Sequence, residues 1–342
     1  MLYNSLNKKK IVKNDEKKIQ HIRFAVQTVF LLLVIWIGAE FWFFVNSLSP
    51  DSAAAVNRPA GVDGFLPISA LMSLWYWIQS GMINMVHPSG LFIFISIVAV
   101  SVYAGKSFCS WLCPIGTISE MIAEFGEKIT GKRITVPRWL DWPLRSLKYL
   151  LLAFFLWAIL PMSAMQLQIF LNSPYNKVAD IKMYNFFVQI STTGFVIILL
   201  LFIFSTFIRG FWCRYLCPYG ALLGFIGLFS PVKITRNPIS CIDCGLCAKA
   251  CPSSIKVDKV KRVISDECSL CLSCVDACPV KDTLFQQNII TKRKRTGLVT
   301  AAGIVIIYTG ITGLAILTGF WQNNVTAEEY RELYQIIDLI GH

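Results

Sequence analysis

The chain has 342 residues, of which 55% are hydrophobic, and its formal net charge is +12 at pH 7. Its mean hydropathy of +0.57 excludes an ordinary soluble protein and predicts that most of the chain lies in lipid. The positive charge does not indicate nucleic-acid binding, because basic residues that flank membrane spans account for it.

Five runs with few or no charges predict membrane-spanning helices. They are 24–45, 90–104, 149–171, 186–207 and 298–320. Lysines between Lys8 and Lys18 precede the first run, as in a signal peptide, and Ala53-Ala54-Ala55 would offer a cleavage site. A first run of 22 residues is longer than the apolar part of a usual signal peptide, so we predict an uncleaved anchor.

Lysine and arginine are distributed unevenly around these spans. With five spans, 28 of the 32 Lys and Arg residues fall on one side of the membrane. Such an excess is typical of the cytoplasmic side, so we predict a cytoplasmic N-terminus and an exported C-terminus. The uncharged segment 65–86, with Trp75, Tyr76 and Trp77, would reverse this distribution if it crossed the membrane. It is therefore predicted to be an interfacial or re-entrant helix on the outer side.

Two copies of one motif, offset by 104 residues, follow the second and fourth predicted spans. Each contains the pattern Cys-x3-Cys-Pro-x-Gly, and the copies occupy 108–116 and 212–220. This duplication predicts two hairpin units related by a parallel repeat. Because proline fits the first turn of a new helix, each motif predicts a corner at the cytoplasmic interface. After the first corner, Ile115, Ile118, Ile122 and Phe125 predict a helix along the membrane surface.

The corner cysteines are candidate ligands. If the two corners face each other, four thiolates could bind one metal or iron–sulfur centre, since soft ligands favour such centres. A redox-active thiol pair and cysteines that simply pack in the interior are the alternatives. The residues concerned are Cys109, Cys113, Cys213 and Cys217.

Eight further cysteines form two runs with the spacing Cys-x2-Cys-x2-Cys-x3-Cys-Pro. This spacing is typical of two [4Fe-4S] clusters, in which the fourth cysteine of each run binds the other cluster. Zinc is a weaker interpretation because its ligand pairs are usually a dozen or more residues apart, and disulfides suit exported domains. The predicted ligands are Cys241, Cys244, Cys247 and Cys278 for cluster 1, and Cys268, Cys271, Cys274 and Cys251 for cluster 2.

These elements predict an α-helical integral membrane protein with about five transmembrane helices and a small α+β dicluster ferredoxin domain of the bacterial type. The expected segments are a basic cytoplasmic N-terminus (1–23), an anchor (24–45), the two-unit repeat (46–228), the cytoplasmic ferredoxin domain (229–290), and a last transmembrane helix with an exported tail (291–342).

Paired Cys-x3-Cys-Pro motifs followed by the two cysteine runs resemble the membrane-bound polyferredoxins of the NapH and NosR type. The resemblance covers roughly residues 85 to 285. It implies a protein of the bacterial cytoplasmic (inner) membrane that passes electrons in a respiratory chain. One terminal would be the quinone pool or a membrane redox partner subunit, and the other a cytoplasmic electron donor or acceptor.

The leading hypothesis is a membrane-bound electron carrier or oxidoreductase subunit with two [4Fe-4S] clusters. The alternative is an assembly factor that reduces or delivers a metal through the Cys-x3-Cys-Pro thiols, or a redox-sensing regulator. No Gly-rich dinucleotide loop or nucleophile constellation indicates an enzyme with a substrate of its own. Lipid and redox proteins are the expected partners, and nucleic acid is not.

Glu40 and His87 are candidates for a quinol site at the outer face. Glu40 is the only charged side chain within the five predicted spans, and an ionisable group in lipid is functional by default. A carboxylate and an imidazole suit the removal of protons from a quinol. The simpler interpretation is a carboxylate that reaches the headgroups and an ordinary loop histidine.

Overall fold

The computed structural model describes residues 13–14, 19–49, 56–131, 134 and 136–341. The candidate cleavage site Ala53-Ala54-Ala55 and most of the basic segment Lys8–Lys18 lie outside the described residues. The two N-terminal residues that are described contact the ferredoxin segment. The Asn14 amide donates to the carbonyl oxygen of Cys278 at 3.1 Å, and Lys13 forms a β-bridge with Val280.

The described residues are mostly helical. Their α-helices are α1 (Ile19–Ser47), α2 (Pro67–Ser80), α3 (Pro88–Ala104), α4 (Phe108–Trp111), α5 (Pro114–Thr130), α6 (Arg138–Ile159), α7 (Ala164–Leu171), α8 (Pro174–Lys177), α9 (Ala179–Val188), α10 (Thr192–Phe207), α11 (Pro218–Leu228), α12 (Leu246–Ala250), α13 (Ser273–Asp276), α14 (Gly297–Leu317) and α15 (Ala327–Gln335). There are also 3-10 turns at Ala60–Phe65 and Val257–Lys259, and a π-helical turn at Trp212–Leu216.

Three strands form one antiparallel sheet in the order β1 (Val232–Arg236), β2 (Leu284–Asn288) and β3 (Lys294–Arg295). The pairing of β1 with β2 runs from Val232 opposite Asn288 to Arg236 opposite Leu284. Both cysteine runs lie between these two strands, so the sheet closes the ferredoxin segment at its ends.

In the described part of the chain, three helices are long and apolar enough to cross a membrane: α1, α6 and α14. A fourth crossing results if α9 and α10 are counted together, although they meet at an angle of 82°. Helix α3 covers the second predicted span but has only 17 residues. The expected first and last spans are therefore confirmed as long helices, whereas a count of five is not.

The predicted continuous helix over 186–207 is wrong. It is replaced by α9 and α10, which are separated at residues 189–191. Ser191 begins the second helix, because its side chain accepts a hydrogen bond from the backbone N–H of Gly194 at 3.1 Å. A serine that caps a new helix competes with continuation of the old one.

The predicted helix over 149–171 is wrong at both ends. Helix α6 starts eleven residues earlier, at Arg138, and stops at Ile159. Pro161 has no N–H to continue the ladder, and Ser163 caps α7 in a reciprocal arrangement with Gln166. The early start moves Arg145 and Lys148 from a predicted loop into a helix that faces the ferredoxin segment.

The ferredoxin segment and the membrane helices share one hydrophobic core. Val100 and Ala104 of α3 and Trp111 of α4 pack in the same buried cluster as Val232 and Leu270 of the ferredoxin segment. The segment thus packs against the C-terminal end of α3 and the N-terminal part of α14 and is not joined only by its ends.

Helix α5 is amphipathic, as its sequence predicts. Ile115, Ile118 and Phe125 are exposed, while Gly126 is buried against α10. A methyl group at Gly126 would lie 1.9 Å from the carbonyl oxygen of Thr206, so only glycine permits this approach. The position of the apolar face at the membrane surface stays a prediction.

Replacing Gly126 should separate these helices. We expect Gly126→Ala to lower the thermal stability of the protein in detergent by about 1–3 kcal/mol, because the methyl group overpacks a backbone contact. Gly38→Ala in α1 is the matched control, since no atom lies within 4 Å of its added methyl group. Equal melting temperatures for both variants would contradict the close contact between α5 and α10.

Candidate metal centres

Four cysteines of the ferredoxin segment line one cavity. Three of them come from the first run, and the fourth, Cys278, comes from the end of the second run. Cys244 is solvent-exposed, whereas Cys247 and Cys278 are buried. The four are Cys241, Cys244, Cys247 and Cys278, the set predicted for cluster 1.

A second cavity lies on the side of the corners. It is lined by Cys251, Cys268, Cys271 and Cys274, the set predicted for cluster 2. Burial raises the pKa of the Cys268 thiol to about 12 and also raises that of Cys274. The thiols therefore have to release protons when they bind a metal. Three of these four cysteines are buried, compared with two of the four in the first cavity.

The backbone follows the same unusual path around both cavities. Asp243 and Gly245, on either side of Cys244, have φ values of 52° and 71°. Leu270 and Leu272, on either side of Cys271, have φ values of 47° and 64°. Such values are costly for leucine and aspartate, and residues strained in this way concentrate at functional sites. The repeated strain bends each run around its cavity.

Each of the two cavities is lined by four thiols, and thiolates are the ligands that iron–sulfur clusters use. The donor sets therefore fit [4Fe-4S] clusters.

The two Cys-x3-Cys-Pro corners have the same construction. In each, the second cysteine is the residue before the first turn of a helix: Cys113 before α5 and Cys217 before α11. The backbone N–H of Gly220 donates to Cys217 Sγ at 3.3 Å. The first backbone N–H groups of a helix have no partner within the helix, so each of these two sulfurs lies beside free backbone donors.

The glycine that ends each motif is required by the same fold. A methyl group at Gly116 would lie 2.1 Å from the carbonyl oxygen of Cys109, and one at Gly220 would lie 3.2 Å from that of Cys213. Each glycine thus packs on the first cysteine of its own motif. The sequence repeat contains this signal, although its meaning is visible only in the structure.

Lys106 lies among the corner thiols. Its side chain is buried, and it interacts electrostatically with Cys109, Cys213 and Cys217. Burial raises the pKa of Cys113 to about 11 and that of Cys213 to about 12. The structure therefore brings the four predicted corner cysteines close to one another, and three of them lie around one buried cation.

Both corners contact the loops of the second cavity through the three residues between their cysteines. In the first corner, Ser110 Oγ donates to Ser269 O at 2.6 Å and Trp111 Nε1 to Leu270 O at 3.1 Å. In the second, Arg214 Nη1 donates to Ser253 O at 3.3 Å. A cavity of about 100 Å³ between corners and loops is lined by Cys109, Cys213 and Cys271.

Glu267, the residue before Cys268, joins the same region to α6. Its carboxylate contacts Lys148 Nζ, Lys106 Nζ at 3.6 Å and Arg145 Nη2 at 3.3 Å. Burial alone would raise the pKa of Glu267, but these cations lower it to about 2. Sequence analysis interpreted the three cations only as markers of the cytoplasmic side, because their partner lies more than a hundred residues away along the chain.

A larger cavity, of about 310 Å³, lies between α1, α5 and the ferredoxin segment. Arg23 of α1 forms two hydrogen bonds of 2.7 Å with Glu120 of α5 in its wall. Ala250 and Ser273 form another part of the wall, and each is adjacent in sequence to a ligand predicted for cluster 2. The remaining lining residues are Gln20, Phe24, Gln27, Thr117, Met121, Glu124 and Arg209.

Glu40 and His87 are not brought together. Glu40 is exposed on α1 and accepts a hydrogen bond from Trp36 Nε1 at 2.9 Å. His87 is only 1% exposed, and Glu40 is not among its hydrogen-bond or charge partners. A buried imidazole without access to lipid or solvent does not suit the proposed removal of protons from a quinol.

His87 belongs instead to a buried ionic network. Its Nδ1 lies 2.9 Å from Asp63 Oδ1, and its Nε2 lies 2.6 Å from the carbonyl oxygen of Asn176. Arg58 contacts Asp63 and donates to Asp180 Oδ2 at 2.6 Å. Burial alone would lower the pKa of His87, but the Asp63 carboxylate raises it above its usual value. The raised pKa favours the charged form of His87 beside Asp63.

Families of iron–sulfur proteins match this chain. The 4Fe-4S binding domain matches residues 86–133 and 190–237, each of which contains one corner. The 4Fe-4S dicluster domain matches 233–279, which contains both cysteine runs. No solved structure matches the chain.

Known proteins are similar to this chain, one along nearly its whole length and others along about half of it. "Putative electron transport protein YccM" of Escherichia coli (strain K12) is 42% identical over 96% of this chain and 94% of its own length. "Ferredoxin-type protein NapH" of Haemophilus influenzae is 29% identical over 53% of this chain and 62% of its own length. "Regulatory protein NosR" of Pseudomonas aeruginosa is 28% identical over 55% of this chain and 25% of its own length.

The chain therefore belongs to the membrane-bound polyferredoxins of the NapH and NosR type. It is a ferredoxin-type, iron–sulfur electron transport protein with apolar helices of membrane-spanning length.

The ionic network of His87 makes stability depend on pH. Because the folded-state pKa is raised above the usual 6.5, the stabilisation is fully present below pH 6.5 and is lost as pH rises through the folded-state pKa. We expect the melting temperature in detergent to fall between pH 6 and pH 9, with a smaller fall in His87→Gln. His21→Gln, at an exposed position of α1, should behave as the unmodified protein. Parallel pH profiles for all three proteins would contradict a charged His87.

Proposed function

We propose that this polyferredoxin transfers electrons between the membrane and a cytoplasmic partner through two [4Fe-4S] clusters bound by crossed ligand sets. The observation that carries the proposal is that the eight thiols line two separate cavities, four in each. In both cavities one of the four comes from the other run, as the spacing predicts. A bound cluster accepts and returns one electron at a time.

The two cavities differ in what they face. The cysteines predicted for cluster 1 include the exposed Cys244, so this end is accessible to a soluble electron donor or acceptor. The loops of cluster 2 contact both corners and α6. We infer a linear order of membrane corner, cluster 2, cluster 1 and cytoplasmic partner.

The corner thiols are proposed to hold a further iron–sulfur centre. Cys109, Cys113, Cys213 and Cys217 interact electrostatically with one another, and two of them precede helix N-termini. Both corners lie within segments that match a 4Fe-4S binding domain. A centre here would lie beside cluster 2, because Cys109, Cys213 and Cys271 line one cavity.

The membrane-side terminal is proposed to be a quinone at the 310 Å³ cavity. Phe24 and Met121 are exposed at its rim, which gives an isoprenoid chain an apolar surface. Arg23, Gln27 and Arg209 offer donors to quinone carbonyl oxygens, and Glu124 offers a carboxylate that can relay protons from solvent. This site removes the difficulty of an outer-face quinol, whose electrons would have to cross about 30 Å of hydrocarbon.

We place the clusters and the N-terminus on the cytoplasmic side of the inner membrane and the C-terminus outside. With five spans, 28 of the 32 Lys and Arg residues would lie beside one membrane face, and this uneven distribution supports the orientation. An assembly or thiol-exchange role is less well supported, because burial raises the pKa of Cys113 and Cys213 and so lowers the fraction of reactive thiolate.

The corner centre can be tested by counting iron. We expect the Cys109→Ala/Cys213→Ala protein, purified without oxygen, to contain about four irons fewer than the unmodified protein, which should contain at least about eight. The paramagnetic resonance signals of the two ferredoxin clusters should persist and show that the protein is folded. An unchanged iron content would show that the corners bind no cluster.

The quinone site can be tested by replacing two glutamates, one in the wall of the proposed site and one near the other end of α1. We expect Glu124→Gln to slow reoxidation of the reduced protein by a short-chain quinone analogue by about tenfold or more, because quinone reduction needs protons. Glu40→Gln near the outer end of α1 is the matched control and should have no effect. Reduction by dithionite should be the same in both variants. Slow reoxidation in Glu40→Gln alone would move the site to the outer face.

A further inference from the structure

We propose that the two clusters have different reduction potentials. The potential of cluster 2 is the higher, so electrons move from the exposed end of the protein towards the membrane. The inference rests on the proposed function, because it requires both clusters. A positive charge near a cluster stabilises its reduced, more negative form, and a negative charge does the opposite. The charges around the two cavities differ in this sense.

A buried lysine lies beside the ligands of cluster 2. Lys233 on β1 is 6% exposed, and its Nζ donates to the carbonyl oxygen of Gly227 at 2.6 Å. Among the described residues it forms no salt bridge with a carboxylate. The charge partner that it does have is the Cys268 thiol. A buried cation without a carboxylate is costly, and an anionic cluster at Cys268 would supply the missing partner.

The nearby carboxylate does not cancel this charge. Glu267 also lines the cavity of cluster 2. Its oxygens are already contacted by Lys148, Lys106 and Arg145. Arg23 adds a further positive charge that acts on Cys271, although it is paired with Glu120. The sum of these groups favours the reduced form of cluster 2.

Carboxylates predominate around cluster 1. Asp258 lines its cavity and acts electrostatically on Cys247. Asp243 Oδ1 lies 3.7 Å from Cys241 Sγ. Arg236 lines the cavity as well, but its Nη1 lies 3.8 Å from Asp243. Lys259, 3.5 Å from Asp258, is 68% exposed, so water screens its charge.

This order of potentials sets a direction. A soluble low-potential donor would reduce cluster 1, one electron would then leave cluster 1 and enter cluster 2, and the membrane-side acceptor would take it from there. Each step oxidises one centre and reduces the next, so no further reactant is needed. The exposed Cys244 and the buried cysteines of cluster 2 match these roles of entry and relay.

The test is a redox titration of the iron-loaded protein followed by paramagnetic resonance. We expect two reduction steps in the unmodified protein. Lys233→Met should lower the potential of the upper step by at least about 59 mV, which for one electron is a tenfold change in the ratio of reduced to oxidised cluster. The lower step should stay unchanged. Asp258→Asn should raise the lower step alone.

Two controls separate charge from damage to the fold. Lys233→Arg keeps the positive charge and should leave both steps near their original positions. Lys294→Met neutralises a lysine that is 55% exposed and paired with Asp282, and it should move neither step. A Lys233→Met protein in which neither step moves, or only the lower one moves, would overturn the proposed order. An unmodified protein without iron would overturn the proposed function as well, whereas two clusters of equal potential would overturn the direction alone.

Discussion

The buried carboxylate of Glu267 and the three cations around it hold the redox part of this protein together. Transfer of a charge from water to a protein interior costs several kcal/mol unless partners compensate it. Here the partners come from different elements: Lys106 from the turn after α3, and Lys148 and Arg145 from α6. Because Glu267 immediately precedes Cys268, the contacts that satisfy its charge also fix a loop of the second cavity against the helices.

The duplicated corners are the second constraint, and they act on the same loops. In each corner, residues between the two cysteines donate hydrogen bonds to the loops of the second cavity. They are Ser110 and Trp111 from one copy, and Arg214 from the other. The glycine at the end of each motif allows the chain to fold back on its first cysteine. One repeated sequence therefore positions four thiols and holds the loops of the second cavity at the same time.

Sequence analysis predicted the parts of the protein that local chemistry determines. The spacing of the cysteine runs grouped the eight thiols as the two cavities group them, because cluster geometry restricts that spacing. The corners and the helix after the first one were predicted from proline and from apolar periodicity. The bounds of the middle helices were not predicted. Ser191 begins a new helix and Pro161 follows the end of another, each inside a run that hydropathy alone would treat as one span. The pairs of Glu267 with Lys106 and Lys148 join residues that are distant in sequence, and a single sequence gives no signal for them. The quinol role of His87 was inferred from its position, whereas its burial beside Asp63 is a tertiary property.

The measurement that tests this account most directly is anomalous scattering at the iron edge from crystals of the iron-loaded protein. The account predicts one iron cluster within Cys251, Cys268, Cys271 and Cys274, beside the corners, and a second within Cys241, Cys244, Cys247 and Cys278, near the protein surface. Iron bound by the four cysteines of a single run, such as Cys241 through Cys251, would contradict the crossed ligand sets and the linear order that follows from them.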